Sequence, residues 1–234
     1  MLPVAILAGG LATRLRPVTE TIPKALIDID GDPFAFHQLK LLQRRGIDKV
    51  VYCVGYLGEM IKKSVGDGSK FGMRVAYSFD GPTLLGTGGA IRQALQELGE
   101  EFFVLYGDSY LDIDYSSVEK AYFKSHKPAL MTVFLNEGKW DSSNVEFSEG
   151  KIINYSKTER SPQMTHIDYG LGVFSKEVFE KVSPDLTFDL ASLYESLARK
   201  DLLAALEVRQ RFYEVGSFSG IKELRHYLKQ TGEP

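Results

Sequence analysis

Through the first half of the chain, short unbroken apolar runs alternate with segments whose apolar residues recur at helical spacing. Residues 1–8 read as a buried first strand that stops at Gly9-Gly10. From Pro33-Phe34 onward, Phe36, Leu39, Leu41 and Leu42 keep helical spacing, and Arg44-Arg45-Gly46 supplies a C-terminal signal. A strand over 49–54 follows. Leu57, Met60, Ile61 and Val65 mark a short helix, and Val75, Tyr77 and Phe79 alternate as a strand. Ala90, Ile91, Ala94, Leu95 and Leu98 form the stripe of a helix predicted to start directly after Gly86-Thr87-Gly88-Gly89. The run 102–106 fits a buried parallel strand ending at Gly107-Asp108. Strands alternating with helices predict an α/β fold: a Rossmann-like open mixed sheet flanked by helices, with right-handed crossovers.

The second half is less regular. Residues 130–135 read as a strand, and 144–147 and 152–155 flank Glu149-Gly150 as a hairpin. Further strands are predicted over 169–174 and 203–208, with helical patterns at 176–182, 188–199 and 219–229. No internal repeat or linker-like tract interrupts the chain. The expectation is one domain over 1–234, a single mixed α/β unit with about 116–234 as a hairpin-rich substrate lobe.

Composition narrows the function classes. Hydrophobic residues make up 44% of the 234 positions and charged residues 25%, enough to bury a sizeable core. Twenty-eight Lys and Arg against 31 Asp and Glu give a net charge of -3, which offers no global field for a polyanion or an acidic membrane, so neither nucleic acid nor membrane is an expected partner. The first eight residues lack a basic n-region, and no apolar stretch approaches the roughly 18 to 20 residues that span a bilayer. The lone Cys53, inside the run Val50-Val51-Tyr52-Cys53-Val54, reads as a small buried hydrophobe. These features predict a soluble, cytoplasmic protein. His37, His126, His166 and His226 show no metal-ligand spacing. Trp140, between Lys139 and Asp141, reads as a partly buried loop anchor rather than a stacking platform.

The segment most suggestive of chemistry is Leu7-Ala8-Gly9-Gly10-Leu11-Ala12-Thr13-Arg14-Leu15-Arg16-Pro17-Val18-Thr19, with Pro23-Lys24 shortly after. It follows the first strand, where open α/β sheets bind ligands. Adjacent glycines let a ligand approach the backbone, and Arg14 and Lys24 add charge suited to a polyphosphate. Neither the G-x-x-x-x-G-K-[ST] loop nor a G-x-G-x-x-G after the first strand is present. Taken alone, Gly86–Gly89 fits either a tight strand-to-helix connection or a set of amides facing a ligand, Asp108 a turn former, and Lys157 a surface lysine.

Together these landmarks resemble the sugar-1-phosphate nucleotidyltransferases, or nucleotide-sugar pyrophosphorylases. Their G-G-x-G-T-R-L-x-P-x-T signature and Pro-Lys pair match residues 9–24, with Ala12 in place of the third Gly. Leu85-Gly86-Thr87-Gly88-Gly89-Ala90-Ile91, Gly107-Asp108 and Tyr213-Glu214-Val215-Gly216-Ser217 match the later landmarks. The pattern is most similar to the heptose- and mannose-1-phosphate guanylyltransferases, with the N-acetylmuramate-1-phosphate uridylyltransferases nearly as close.

The resemblance implies an NDP-sugar and pyrophosphate made from an NTP and a sugar-1-phosphate, with Mg²⁺ as cofactor. GTP with a heptose- or mannose-1-phosphate is the leading pair, and a UTP-dependent uridylyltransferase acting on a hexose- or N-acetylmuramate-1-phosphate is the alternative. It also implies roles. Leu7, Ala8, Gly9, Gly10, Gly86, Thr87 and Gly88 would bind the nucleotide. Arg14 would hold the outgoing pyrophosphate, Lys24 would neutralise charge near the α-phosphorus, and Lys157 would bind the sugar phosphate, with Ser156 where an acidic residue often precedes that lysine. Asn144, Asp168, Tyr169 and Gly170 would line the sugar pocket. Asp108 and Glu214 would bind the metal. A monomer or small homo-oligomer is expected. A non-catalytic nucleotide-sugar sensor on the same fold is disfavoured, since a pure binder needs no charges matched to a leaving pyrophosphate. A nicotinamide-dependent enzyme is disfavoured by the missing fingerprint.

Overall fold

Val4, Ala5 and Ile6 are fully buried, as an apolar run covered on both faces of a sheet must be. They belong to β1 (Val4–Leu7), the centre of the architecture. In the computed structural model, which describes residues 1–10, 13–183 and 187–232, the remaining strands are β2 (Asp28–Ile29), β3 (Asp32–Pro33), β4 (Lys49–Val54), β5 (Arg74–Phe79), β6 (Glu101–Tyr106), β7 (Ser109–Tyr110), β8 (Ala129–Leu135), β9 (Val145–Ser148), β10 (Lys151–Tyr155), β11 (His166–Ser175), β12 (Leu203–Val208) and β13 (Tyr213–Glu214). The α-helices are α1 (Phe34–Arg44), α2 (Gly58–Val65), α3 (Gly86–Gln93), α4 (Leu95–Leu98), α5 (Tyr115–Ser125), α6 (Glu177–Glu180), α7 (Leu190–Arg199) and α8 (Phe218–Thr231).

Strands β6, β1, β4 and β5 lie side by side and parallel. Beyond β6 the sheet turns mixed: β11 runs antiparallel to β6, β8 antiparallel to β11, and β12 parallel to β8. The sheet is therefore continuous from the first half of the chain into the second. The hairpin β9–β10 joins through His166 of β11, and its turn has positive φ at both Glu149 and Gly150, the geometry that matches strand twist in a two-residue loop.

Two apolar layers cover the sheet. One face packs Val4, Ile6, Phe103, Leu105, Tyr169 and Leu171 against α1, α2 and α5; the other packs Ala5, Val104, Met131 and Phe174 against α3, α6 and α7. A third cluster is built from Leu15, Ile29, Phe34, Tyr110, Val215, Ile221 and Leu224. It clamps α8 over the 15–34 segment and holds β13 against β7, where Glu214 stands opposite Ser109.

The departures from the sequence expectation are local. Gly86–Gly89 form the first turn of α3 rather than preceding it, and the expected helix over 90–98 is interrupted at Ala94. The pattern at 176–182 yields only the single turn of α6. No helix among the described residues is long and apolar enough to cross a membrane.

Candidate active site

Four parallel strands end on one edge of the sheet, and each delivers a residue there. After β1 come Ala8, Gly9 and Gly10; after β4, Gly55; after β5, Asp80; after β6, Gly107 and Asp108. The close approach of β1 and β6 explains Gly107: a Cβ there would lie 2.4 Å from the Leu7 carbonyl oxygen, which instead accepts the Gly107 N–H at 3.0 Å. The result is a cavity of about 250 Å³ lined by Leu7, Ala8, Gly9, Gly10 and Gly86 together with Lys24, Asp80, Tyr106 and Asp108. It lies at the carboxyl ends of the strands, where β4 and β6 flank β1 on opposite sides, the switch point of an open α/β sheet.

At one end of the cavity Lys24, on a 3-10 turn over Lys24–Leu26, donates from Nζ to Asp108 Oδ2 at 2.7 Å. The Val215 N–H donates to the Asp108 carbonyl at 2.9 Å, tying the β6 exit to the β13 exit. The Asp108 and Glu214 carboxylates lie near one another beside Gly216. A Cβ on Gly216 would meet Glu214 Oε2 at 2.6 Å, Asp108 Oδ2 at 3.2 Å and Lys24 Nζ at 3.4 Å, so glycine leaves the space into which the three charges point. The Glu214 carboxylate also makes local bonds that the sequence did not reveal. It accepts the Gly216 N–H and the Ser217 hydroxyl at the start of α8, where Ser217 in turn caps Gly220 N. Arg14 sits on the 3-10 turn Thr13–Leu15 with its side chain exposed and is not among the described residues that line the cavity, while its neighbour Leu15 is buried in the third cluster. Leu11 and Ala12, including the position where Ala replaces the third signature Gly, lie outside the described residues.

The glycine turn of α3 requires a correction. Gly86 and Thr87 do line the cavity, but Gly88 serves packing rather than the nucleotide. The Gly88 and Gly89 amides donate to the Phe188 carbonyl at 3.0 and 3.3 Å, and a Cβ on Gly88 would lie 2.2 Å from the Phe188 ring. Gly86, at φ +75°, is likewise pressed against the Phe188 backbone. Thr87 Oγ1 accepts from Leu190 N at 2.8 Å, so the turn receives the segment that opens α7.

Tyr106 links the cavity to the second half. Its hydroxyl donates to Asp168 Oδ2 at 3.3 Å, Asp168 Oδ1 accepts the Gly170 N–H at 3.0 Å, and Asn144 Oδ1 accepts the Asp168 N–H at 3.0 Å. Burial raises the Asp168 carboxyl above the usual carboxylate range despite the Gly170 amide and the nearby Lys157, and burial beside Asp168 pushes the Tyr106 hydroxyl well up. Lys157 Nζ lies 3.3 Å from Asp189, the residue that caps α7. Burial pushes the Asp189 carboxyl up, but the Ala191 amide and Lys157 outweigh it and leave it below its ordinary value. The register of β11 against β8 shifts between Asp168 and Gly172, and Gly170 adopts φ +97° in that irregularity.

Tyr169 is not a pocket residue. It points to the opposite face of β11, is 2% exposed, and packs between Phe134 and Phe212 in the α1–α5 layer. Asp168 and Gly170 share the other face, as strand alternation requires. Trp140 is more exposed than expected, at 43%, and carries the Arg211 guanidinium 3.8 Å over its ring. His37 and His166 are buried and bond within the fold, to the Ile29 carbonyl and to the Thr165 hydroxyl. The sequence reading missed Asp80, Leu84 and Tyr106. Asp80 and Tyr106 stand at the carboxyl ends of predicted strands, the signal that singled out Gly9 and Asp108.

Comparison with known proteins agrees with this geometry. The N-acetylmuramate alpha-1-phosphate uridylyltransferase of Neisseria meningitidis is 29% identical over 224 residues, covering 93% of this chain and 94% of that protein. The D-glycero-alpha-D-manno-heptose 1-phosphate guanylyltransferase of Campylobacter jejuni is 28% identical, with 90% and 93% covered. Mannose-1-phosphate guanyltransferase beta-B of Xenopus laevis is 29% identical over 90% of this chain, which spans about 60% of that relative's length. Among solved structures, HddC from Yersinia pseudotuberculosis complexed with GMP-PN shares the fold with a TM-score of 0.80 at 24% identity, covering 97% of this chain and all of that one. The Nucleotidyl transferase family model matches residues 4–218, and the chain belongs to that family.

Proposed function

We propose that the protein transfers a nucleotidyl group from an NTP to a sugar-1-phosphate, with about 1–115 holding the nucleotide and about 116–234 the sugar in one cytoplasmic catalytic domain. GTP with a heptose- or mannose-1-phosphate is the leading pair and UTP the second. The observation that carries the reading is the meeting of Lys24, Asp108 and Glu214 at the end of a strand-edge cavity. Relatives of nearly equal length named as guanylyl- and uridylyltransferases support it.

In the reaction an oxygen of the sugar phosphate forms a bond to the α-phosphorus of the NTP, and the bond from that phosphorus to the bridging oxygen breaks, releasing pyrophosphate. Little covalent work falls to the protein, so positioning and charge neutralisation carry the rate. Lys24 is placed to move its ammonium from Asp108 to a phosphate oxygen at little cost, because both partners are partly solvated. Arg14, exposed on the signature loop, reaches the departing pyrophosphate from the solvent side. Lys157, held by Asp189, meets the sugar phosphate, and Asp168 with Asn144, Gly170 and Tyr106 meets the sugar hydroxyls.

Mg²⁺ fits the donor set. Two carboxylates far apart in the sequence approach one glycine-made recess, and a hard cation takes one or two such oxygens alongside phosphates and water. Among the described residues no group of three or more His, Cys, Asp and Glu forms a metal cage, so Asp108 and Glu214 would share the ion with the substrates. Asp108 and Glu214 would hold the ion, which would supply neutralisation of phosphate charge when bound. The test is pyrophosphate release from each NTP with a panel of sugar-1-phosphates. Metal-dependent release with at least one pair is expected, and none with any pair would refute the reading.

A further inference from the structure

Thr87 faces two ways. It lines the strand-edge cavity, and its Oγ1 accepts the Leu190 N–H at 2.8 Å from the segment that opens α7. The Phe188 N–H donates to the Leu85 carbonyl at 3.2 Å while the Phe188 carbonyl accepts the Gly88 and Gly89 amides, so 188–190 and the first turn of α3 are bonded in both directions. Between Phe188 and Leu190 stands Asp189. Its Oδ1 accepts the Ala191 N–H at 2.8 Å and lies 3.3 Å from Lys157 Nζ. Burial works against the Asp189 charge, and the Ala191 amide, Lys157 and the Thr87 hydroxyl favour it. Thr87, Asp189 and Lys157 thus form a polar chain from the cavity to the lysine assigned above to the sugar phosphate.

Lys157 follows β10, and Tyr155 at the end of that strand packs against Tyr194 of α7 with ring centroids 5.8 Å apart. The backbone beside the lysine is therefore set on α7. The arm beyond it has several rotatable bonds, and the Asp189 carboxylate narrows where the ammonium can sit. The two side chains are 42% and 55% exposed, so the pair adds little to stability and its main consequence is orientation. An ammonium has three donors, so Lys157 can keep Asp189 and still donate to a phosphate oxygen. Resting on the nucleotidyltransferase reading above, we propose that Thr87 and Asp189 are positioning residues that couple the two half-sites: a nucleotide against Thr87 fixes Asp189, and Asp189 aims the Lys157 ammonium at the sugar phosphate. Such coupling is reciprocal, so each ligand raises the affinity for the other by the same factor.

The experiment starts from an NTP and sugar-1-phosphate pair that turns over in the panel described above. Calorimetry with Mg²⁺ then gives the Kd of that sugar-1-phosphate alone and with the α,β-methylene analogue of that NTP, in which the bond to the leaving group does not break. The ratio of the two is the coupling factor, and wild type should give at least about 5. Thr87→Val removes the hydroxyl from a side chain of nearly the same shape. Asp189→Asn keeps an oxygen that can cap α7 but loses the charge that holds Lys157. In each the factor should fall about 5-fold or more, and Thr87→Ser, which restores the hydroxyl, should bring it back. Coupling carried by Mg²⁺ or by direct contact between the ligands would survive both substitutions. A wild-type factor near 1, which needs no variant, would overturn the relay while leaving the nucleotidyltransferase reading in place. So would an unchanged factor in folded Thr87→Val or Asp189→Asn, or a fall that Thr87→Ser does not reverse. No turnover with any pair would sink both.

Discussion

Replacing Lys24 by Met removes the ammonium and keeps most of the apolar stem. In the free protein Nζ sits 2.7 Å from Asp108 Oδ2, with the two side chains 25% and 33% exposed. An ion pair this open to solvent contributes about 0–1 kcal/mol to stability. For a chain of this size that corresponds to a fall in Tm of at most about 2–4 °C. The catalytic consequence is on another scale. Removing a preorganised charge from a reacting group costs about 2.7–4 kcal/mol of barrier, or about 10²–10³ in turnover. Pyrophosphate release at saturating NTP and sugar-1-phosphate, run beside thermal unfolding of the same preparation, separates the two effects. Turnover should fall by that factor while Tm barely moves. Turnover within an order of magnitude of wild type would remove Lys24 from the chemistry, and activity lost in step with unfolding would make the pair structural.

Gly88→Ala sets a methyl against the Phe188 ring at 2.2 Å and should destabilise by about 1–3 kcal/mol in urea unfolding; combined with Phe188→Ala the effects should be less than additive, and strict additivity would contradict the packing role. For Asp168 the native carboxyl is raised above its unfolded value by burial, so its ionisation opposes folding: stability is lost as pH rises from the unfolded pKa to the native one. Asp168→Asn abolishes that slope, so its stability relative to wild type should be greater at pH 7.5 than at pH 4, and a difference independent of pH would refute the assignment. Lys157→Ala should raise KM for the sugar-1-phosphate more than the Kd for a non-reactive NTP analogue, and equal losses would count against its place in the sugar half.

The parallel half of the sheet was legible because buried strands covered on both faces are written as apolar runs. Residues 4–7, 49–54 and 101–106 could be read without knowing their partners. The glycines of 86–89 show the opposite case. The residue that requires Gly88 is Phe188, a hundred positions away, and spacing records that backbone room is needed but not what fills it. Tyr169 was misread although the signal was present. Tyr169, Leu171 and Val173 alternate with Asp168, Gly170 and Gly172, so period two already divides a packed face from a pocket face. Strands β7 and β13 hold two residues each and exist only through their mutual pairing, which no local pattern encodes. Glu214 was placed beside Asp108 from its motif, but its hold on the start of α8 depends on a fold-back within three residues that spacing does not specify.

The proposed reaction requires one cavity along the strand edge to take the nucleotide with its phosphates at Lys24, Asp108 and Glu214. A crystal structure with Mg²⁺ and a non-reactive NTP analogue tests it most directly. The ion is expected on carboxylate oxygens of Asp108 and Glu214, Lys24 Nζ on a phosphate oxygen, and the base beside Leu84 and Asp80. A nucleotide bound outside this cavity, or seated in it with its phosphates at the Asp80 end, would contradict the account.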